Sequence, residues 1–432
     1  MQRLIHILFW SVIAAAFVGP GTVTTCARAG ASHGLTLLWA VTFSTIACFV
    51  LQEASARITA VSGLNLGQAM RRRHTGFGGT LVLLLVLGGI VGGCAAYQAG
   101  NLVGAAAGST LLAYSAGPWT IGAATIFAAG LLWTARTATV AKVLGGVVAL
   151  MGLCFAVTAV AVGPDLGAML RGVLVPRIPD GTGLLVVALI GTTVVPYNLF
   201  LGSGIARGQR VGDMRFGLAV SVGLGGLISL AIVVVGSSLA AEFSFGALGD
   251  HLARELGAPA RTLFAGGLFC AGLTSAITAP LAAALTARGL FAAGEEAPEW
   301  SEASPRYRAV WLVVLLTGAG FALAATRPAQ LIVAAQALNG VLLPFVAIFL
   351  LLAVNDRRLM GDAGLNPLWA NLLSLGIVGV TLLLGLSKVL SAVLGRGQFS
   401  EGTLWAGSGA LALATMPLLV FALVRGRGRT AE

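Results

Sequence analysis

Charge is scarce in this chain. Only 9% of its 432 residues are charged, 26 Lys and Arg against 15 Asp and Glu, whereas 57% are hydrophobic. A soluble protein of this length normally has about a quarter of its residues charged. The apolar surplus is too large to bury in one water-soluble core, so lipid must solvate much of the surface. Histidine and cysteine are also few. His6, His33, His74 and His251 are scattered, with no pair at metal-ligand spacing. Cys26, Cys48, Cys94, Cys154 and Cys270 are odd in number, irregular in spacing and set in apolar runs. They read as small buried hydrophobes, which excludes a disulfide framework and a cysteine-based metal site. No apolar run carries a His cluster, an acid pair or a nucleophile beside a base, so an enzyme is not expected, nor a cofactor. The formal charge of +11 would raise nucleic acid as a partner for a soluble protein. Here the basic residues sit in short connecting segments, where they set membrane topology, and nucleic acid is excluded.

What the chain does have is long apolar stretches. A transmembrane helix needs about 20 apolar residues. Twelve runs qualify: 5–30, 34–62, 80–107, 118–135, 138–163, 182–206, 214–241, 259–291, 307–326, 329–354, 367–393 and 402–424. The opening "MQRLIHILFWSVIAAAFVGPG" has the look of a secretory leader. It lacks a small-x-small cleavage site before the Gly-Pro-Gly and reads as a retained first span. With the N-terminus inside, 17 of the 26 basic residues fall on the inner side, including Arg71, Arg72, Arg73, Arg215, Arg357, Arg358 and Arg427. The chain is therefore expected to be a multi-pass protein of the cytoplasmic (inner) membrane, with both termini cytoplasmic. The lipid bilayer is its surroundings, and a monomer is expected.

Two of the runs are interrupted. Gly19-Pro20-Gly21 lies inside the first, and Pro196 lies inside the sixth, flanked by Thr192, Thr193, Tyr197 and Asn198. Proline removes a backbone donor and glycine weakens a helix. In hydrocarbon, freed backbone groups cost several kcal/mol each unless something satisfies them. An unwound segment at mid-membrane therefore implies surrounding protein or a watery cavity. A simple proline kink is the alternative for either break taken alone. Two breaks at matching positions of inverted halves point instead to a transporter's substrate site.

The residues now carry a resemblance. "GPGT" at 19–22, "GLTLLWAV" at 34–41, "LQEASARITAVSGLNL" at 51–66, "LIGTTVVPYNLFLGS" at 189–203 and "QALNGVLLPF" at 336–345 are similar to segments of the Nramp divalent-metal transporters. The resemblance covers the first ten spans in order. It implies an all-α integral membrane protein of the leucine-transporter-like fold, with two inverted five-helix repeats plus one or two extra C-terminal helices. The chain would be a single transmembrane domain, with the first repeat at 1–163, the second at 182–354 and spans 11 and 12 within 355–432. Alternating access about spans one and six follows from that fold.

The same resemblance exposes a departure. In the metal transporters the first-span motif is Asp-Pro-Gly-Asn, and the sixth-span motif is Ala-x-x-Met-Pro-His. Here the Asp is replaced by Gly19, the Asn by Thr22, the Ala by Thr192, the Met by Val195 and the His by Tyr197, whereas the tenth-span Gln is kept as Gln336. The third-span acids fall where Gln98 and Asn101 stand. A bare divalent cation wants carboxylates, thiolates or imidazoles. Thr, Tyr, Asn and Gln are neutral and both donate and accept hydrogen bonds. The expected cargo is therefore a small uncharged polar organic solute, urea- or amide-like. The alternatives are a divalent metal, Mg2+ or Mn2+, carried on neutral ligands with part of its water shell, or an amino acid. The expected substrate-binding set is Gly19, Gly21, Thr22, Thr25, Thr192, Val195, Tyr197, Asn198, Gln98 and Gln336, with Pro20 and Pro196 as the helix breaks and no resident metal. Glu53 and Arg57 stand four residues apart in the second span, which permits an ion pair that could close an inner gate or serve structure alone.

Overall fold

A computed structural model describes residue 10 and residues 17–113, 117–134, 137–239, 242–292, 297–394 and 401–428. Part of the retained-first-span expectation falls on residues 1–9 and 11–16, which lie outside the described residues. The described secondary structure is helical. In chain order it comprises α1 (Pro20–His33), α2 (Leu38–Ser62), α3 (Leu66–Arg73), α4 (Gly76–Ala113), α5 (Gly117–Thr134), α6 (Thr137–Ala161), α7 (Leu166–Leu174), α8 (Gly183–Thr193) and α9 (Pro196–Ile205). There follow α10 (Val211–Ser237), α11 (Phe245–Leu256), α12 (Ala258–Phe291), α13 (Pro305–Leu323), α14 (Pro328–Ala353), α15 (Arg357–Gly364), α16 (Leu368–Val393) and α17 (Glu401–Arg427). Among the described residues, nine helices are long and apolar enough to cross a membrane, with α8 and α9 together counted as one. Helices α1, α5 and α6 occupy the remaining three apolar runs.

Helices prevail because in lipid only a structure that closes its own backbone hydrogen bonds is tolerated. Large apolar side chains project outward, among them Phe77, Trp119 and Val160. Inside, small residues let particular helix pairs meet closely. Gly191 of α8 and Gly340 of α14 face each other backbone to backbone. A Cβ on Gly340 would stand 2.5 Å from the Val187 carbonyl, and one on Gly191 the same distance from the Gly340 nitrogen. Such close approach lets helices pack where no hydrophobic force draws them together. The short connecting helices start on polar caps. Asn65 and Gln68 form a reciprocal capping box at the head of α3, each side chain 2.9 Å from the other's backbone nitrogen, and Ser244 caps α11.

Proline acts in two ways. Pro280, Pro344 and Pro417 lie inside continuous helices. Pro20 and Pro196 each stand at the first turn of a new helix. That position needs no N–H, and the fixed φ of proline suits it. Gly19 before Pro20 is extended (φ −131°, ψ −171°), and so is Val195 before Pro196 (φ −88°, ψ 120°). The residue before proline is pushed to such geometry by its ring. Both interruptions are therefore true breaks rather than kinks.

A candidate substrate site between two helix breaks

The two breaks meet. Thr22 Oγ1 lies 2.9 Å from Thr192 Oγ1, joining the first turn of α1 to the last turn of α8. Thr22 also donates to the Phe17 carbonyl, on the far side of the first break. That carbonyl accepts from Gly19 N as well, at 3.0 Å. Thr22 thus spans its own break and reaches the other one. Thr25, by contrast, donates back to the Gly21 carbonyl at 2.7 Å within its own helix.

Around this contact the structure gathers polar groups that are fully buried. Tyr197 and Asn198 begin α9, and Tyr97 of α4 packs edge-on against Tyr197 with ring centroids 5.6 Å apart. Both polar atoms of the Asn198 amide have no hydrogen-bond partner within the protein, and the Tyr97 hydroxyl stands within reach of the Thr192 and Tyr197 hydroxyls. Gln336 of α14 lies against the first break: a Cβ on Gly21 would come within 2.7 Å of its Cδ. The Gln336 Oε1 is likewise unpartnered. Pro20 rests on Gly104 of α4, where any side chain would collide with the ring. Ser275 of α12, whose hydroxyl is also unpartnered, sits 3.2 Å from where a Gly19 Cβ would stand.

The sequence-predicted residues therefore divide. Gly19, Gly21, Thr22, Thr192, Val195, Tyr197, Asn198 and Gln336 cluster at or beside the two breaks. Val195 contributes backbone, as the extended residue between α8 and α9. Gln98 does not join them. Its Nε2 donates to the Ala276 carbonyl at 3.2 Å, and its side chain packs on Gly318 of α13. The residue that faces Tyr197 is its neighbour Tyr97. Adjacent helix positions differ by about 100°, so one step along "CAAYQAGN" changes which neighbours a side chain meets. Tyr97 and Ser275 were not singled out from sequence, and the aromatic-polar pairing at 97–98 was the signal for the first.

The electrostatics of the site come from backbone rather than from formal charge. The last intrahelical bond of α8 runs from Val194 N to the Ile190 carbonyl at 2.9 Å. The carbonyls of Gly191, Thr192 and Thr193 lie beyond it, at the negative end of a helix. Among the described residues, no group of three His, Cys, Asp or Glu could hold a metal.

Away from the breaks, Glu53 and Arg57 form the ion pair their spacing permits, at 2.9 Å. The same Glu53 oxygen accepts from Arg215 of α10 at 2.9 Å. Arg57 also donates to the Gly364 carbonyl and to Asn366 Oδ1. Asn366 belongs to a buried set with Asn371, Asn355 and Arg427. The pair is thus tied to the ends of α10, α15 and α17.

A membrane-spanning helical bundle with two interrupted helices apposed at its core defines a secondary transporter rather than an enzyme. Comparison with known proteins agrees. The chain belongs to the Nramp family, matching "Natural resistance-associated macrophage protein-like" over residues 11–391. It is 26% identical over 372 residues to the divalent metal cation transporter MntH of Yersinia pestis, covering 81% of this chain and 86% of that one. It is 24% identical over 404 residues to MntH of Klebsiella pneumoniae, with 89% and 93% covered. Among solved structures, a mutant of the Eremococcus coleocola manganese transporter superposes with TM-score 0.73 at 17% identity, covering 98% of this chain and 95% of that one. The nucleobase-cation-symport transporter Mhp1 superposes with TM-score 0.57 at 15% identity. The fold is the leucine-transporter-like one, two inverted five-helix repeats with further C-terminal helices.

One expectation is overturned. A small uncharged urea- or amide-like solute as cargo and partner is contradicted by the relatives, which are named for divalent metal cations, and by the superposing manganese transporter. The physical error was to equate a pocket without formal charge with a neutral cargo. Hydroxyl, amide and backbone carbonyl oxygens are ligands for hard cations, and such ions can keep part of their water.

Proposed function

We propose that the chain carries a hard divalent cation, Mg2+ or Mn2+, across the cytoplasmic membrane by alternating access, with part of the ion's water shell retained. The observation behind this reading is the pair of buried amide oxygens at the crossing that have no protein partner, Gln336 Oε1 and Asn198 Oδ1. Buried polar atoms are nearly always paired with protein or water. Ion-bound water can pair with both. The carbonyl end of α8 adds partial negative charge, as the ends of broken helices do in transporters that bind cations. Thr22 and Thr192 would hold the breaks together, and Gln336 would face the ion from α14. Glycine at position 19 brings its backbone close to the Ser275 hydroxyl, so that hydroxyl stands where a side chain would begin. The Arg-rich ends of the bundle would face the cytoplasm.

The test is uptake into proteoliposomes with a lumenal metal-sensitive dye. Saturable entry of Mg2+ or Mn2+, weakened by Gln336→Leu and Asn198→Leu, is expected. Absence of flux for both ions, or flux indifferent to both substitutions, would defeat the reading.

A further inference from the structure

Proton-driven transport needs a side chain inside the membrane that takes up and releases a proton near neutral pH. The chain has 15 acidic residues. By sequence position, fourteen fall between the spans, at a span's first turn or at the end of the chain. Glu53 alone lies within a span, and it is already engaged. One of its oxygens faces both Arg57 and Arg215, each 2.9 Å away. Asn366 and the Gly364 carbonyl hold Arg57 in place. A proton on that carboxylate would leave two guanidiniums without a counter-charge. Glu53 is thus a fixed clip between α2 and α10, not a group that cycles with cargo.

Among the described residues the crossing supplies no substitute. Its titratable groups are Tyr97 and Tyr197, with Cys94 one turn from Tyr97 on α4 and Cys26 one turn from Thr22 on α1, and phenols and thiols ordinarily titrate above neutral pH. The neighbouring amides Gln98, Asn101 and Gln336 do not titrate at all. His33 ends α1, His74 caps α3 and His251 lies on the short helix α11. His6 is outside the described residues.

Resting on the proposed cation cargo, we infer that this chain is a proton-independent carrier: each cycle moves the two charges of the cation and no proton with them. Membrane voltage and the ion's own gradient are then the driving forces. The inference concerns the proton alone, since carbonyl and hydroxyl oxygens can also bind alkali cations.

Purified full-length chain in proteoliposomes would be given Mn2+ outside, with one dye for lumenal Mn2+ and another for lumenal pH, and the voltage clamped by K+ and valinomycin. Mn2+ should enter without lumenal acidification. The initial rate should stay within about twofold when the outside is made one pH unit more acidic at fixed voltage. With no pH gradient, a tenfold change in the Mn2+ gradient should move the zero-flux voltage by about 30 mV, the value for two charges. Acidification in proportion to Mn2+ entry overturns the inference and leaves the cargo standing. So does a slope near 20 mV, the value for three charges, when lumenal acidification accompanies it. No entry of either Mn2+ or Mg2+ overturns the cargo reading and this inference with it.

Discussion

Replacing Thr22 with valine keeps the shape of the side chain and removes one hydroxyl that makes two contacts. The Phe17 carbonyl loses one donor but keeps Gly19 N at 3.0 Å, so it is not orphaned. Thr192 loses its partner at 2.9 Å and keeps the Tyr97 hydroxyl within reach. A neutral hydrogen bond nets about 1 kcal/mol. Thr22→Val forfeits two and should destabilise by roughly 2 kcal/mol. Thr192→Val forfeits its bonds to Thr22 and Tyr97 and should also cost about 2 kcal/mol. The double variant loses the shared bond only once and should cost about 3 kcal/mol. The resulting coupling, about 1 kcal/mol, lies within the range for residues in direct contact. Thr25→Val is the internal control. It forfeits only a bond to its own helix, and such back-bonds add little to helix stability. Reversible unfolding in mixed micelles titrated with SDS measures all four. If Thr22→Val and Thr25→Val prove equal, or if the cycle is additive within about 0.3 kcal/mol, the two breaks are not joined through these hydroxyls.

Three further outcomes follow from the same geometry. Arg57→Met should destabilise by about 2–3 kcal/mol because it leaves the Gly364 carbonyl and Asn366 Oδ1 without their donor while Glu53 keeps Arg215, whereas Arg215→Gln, at a side chain 53% exposed, should cost under about 1 kcal/mol; thermal midpoints that rank the other way would refute the clip. Gly21→Ala puts a methyl group against the Gln336 amide and should weaken Mn2+ affinity by about tenfold or more, in line with the cost of disturbing one ligand's surroundings; unchanged affinity in a binding titration would remove Gln336 from the site. Burial pushes the His251 imidazole below its ordinary range, with Arg254 adding to that shift and Glu255 opposing it. A histidine held neutral in the fold binds fewer protons there than in the unfolded chain. Stability should therefore fall as pH drops below the unfolded value of about 6.5. Amide exchange in α11, where His251 meets Ser238 at 2.7 Å, should accelerate between pH 7 and pH 5, and His251→Gln should flatten that response.

Much of the architecture was legible because membrane physics writes it into short stretches. Apolar runs mark the helices, and the proline after an extended residue marks each restart, at Pro20 and at Pro196. Local spacing also exposed the Glu53–Arg57 pair. What could not be read was anything set by distant segments meeting. Arg215 stands 162 positions from Glu53 and Asn366 stands 309 from Arg57, with no periodicity linking them. The choice between Tyr97 and Gln98 depended on the rotation of α4 about its axis, which an apolar helix leaves undetermined because all its faces look alike. The identity of the cargo was misread for a different reason: side chains were counted and backbone was not.

That omission matters for how such a site would work. A carboxylate compensates a dehydrated cation strongly and holds it tightly. Neutral oxygens and the end of one short helix supply only partial charges, about half an elementary charge at the helix terminus. They cannot offset the removal of a whole hydration shell, which for Mg2+ is especially reluctant to leave. An ion bound on such terms keeps water, and its waters need partners of both kinds, acceptors and donors. Amide oxygens, phenols and threonine hydroxyls meet that need where carboxylates, which only accept, do not. On the proposed reading, the loss of a side chain at Gly19 and the gain of hydroxyls at Thr22 and Thr192 would belong to one change: a softer site that recognises the shell around the ion. Such a site should bind weakly and release quickly, so its affinity should change far more when an amide or hydroxyl is replaced by an apolar group than when a charge is reversed on the distant short helix α7. An isothermal titration series with Mg2+ across Gln336→Leu, Tyr197→Phe and Arg171→Glu decides it. A gain with Arg171→Glu and no loss with the other two would mean that the ion is attracted by overall charge and not received by these oxygens.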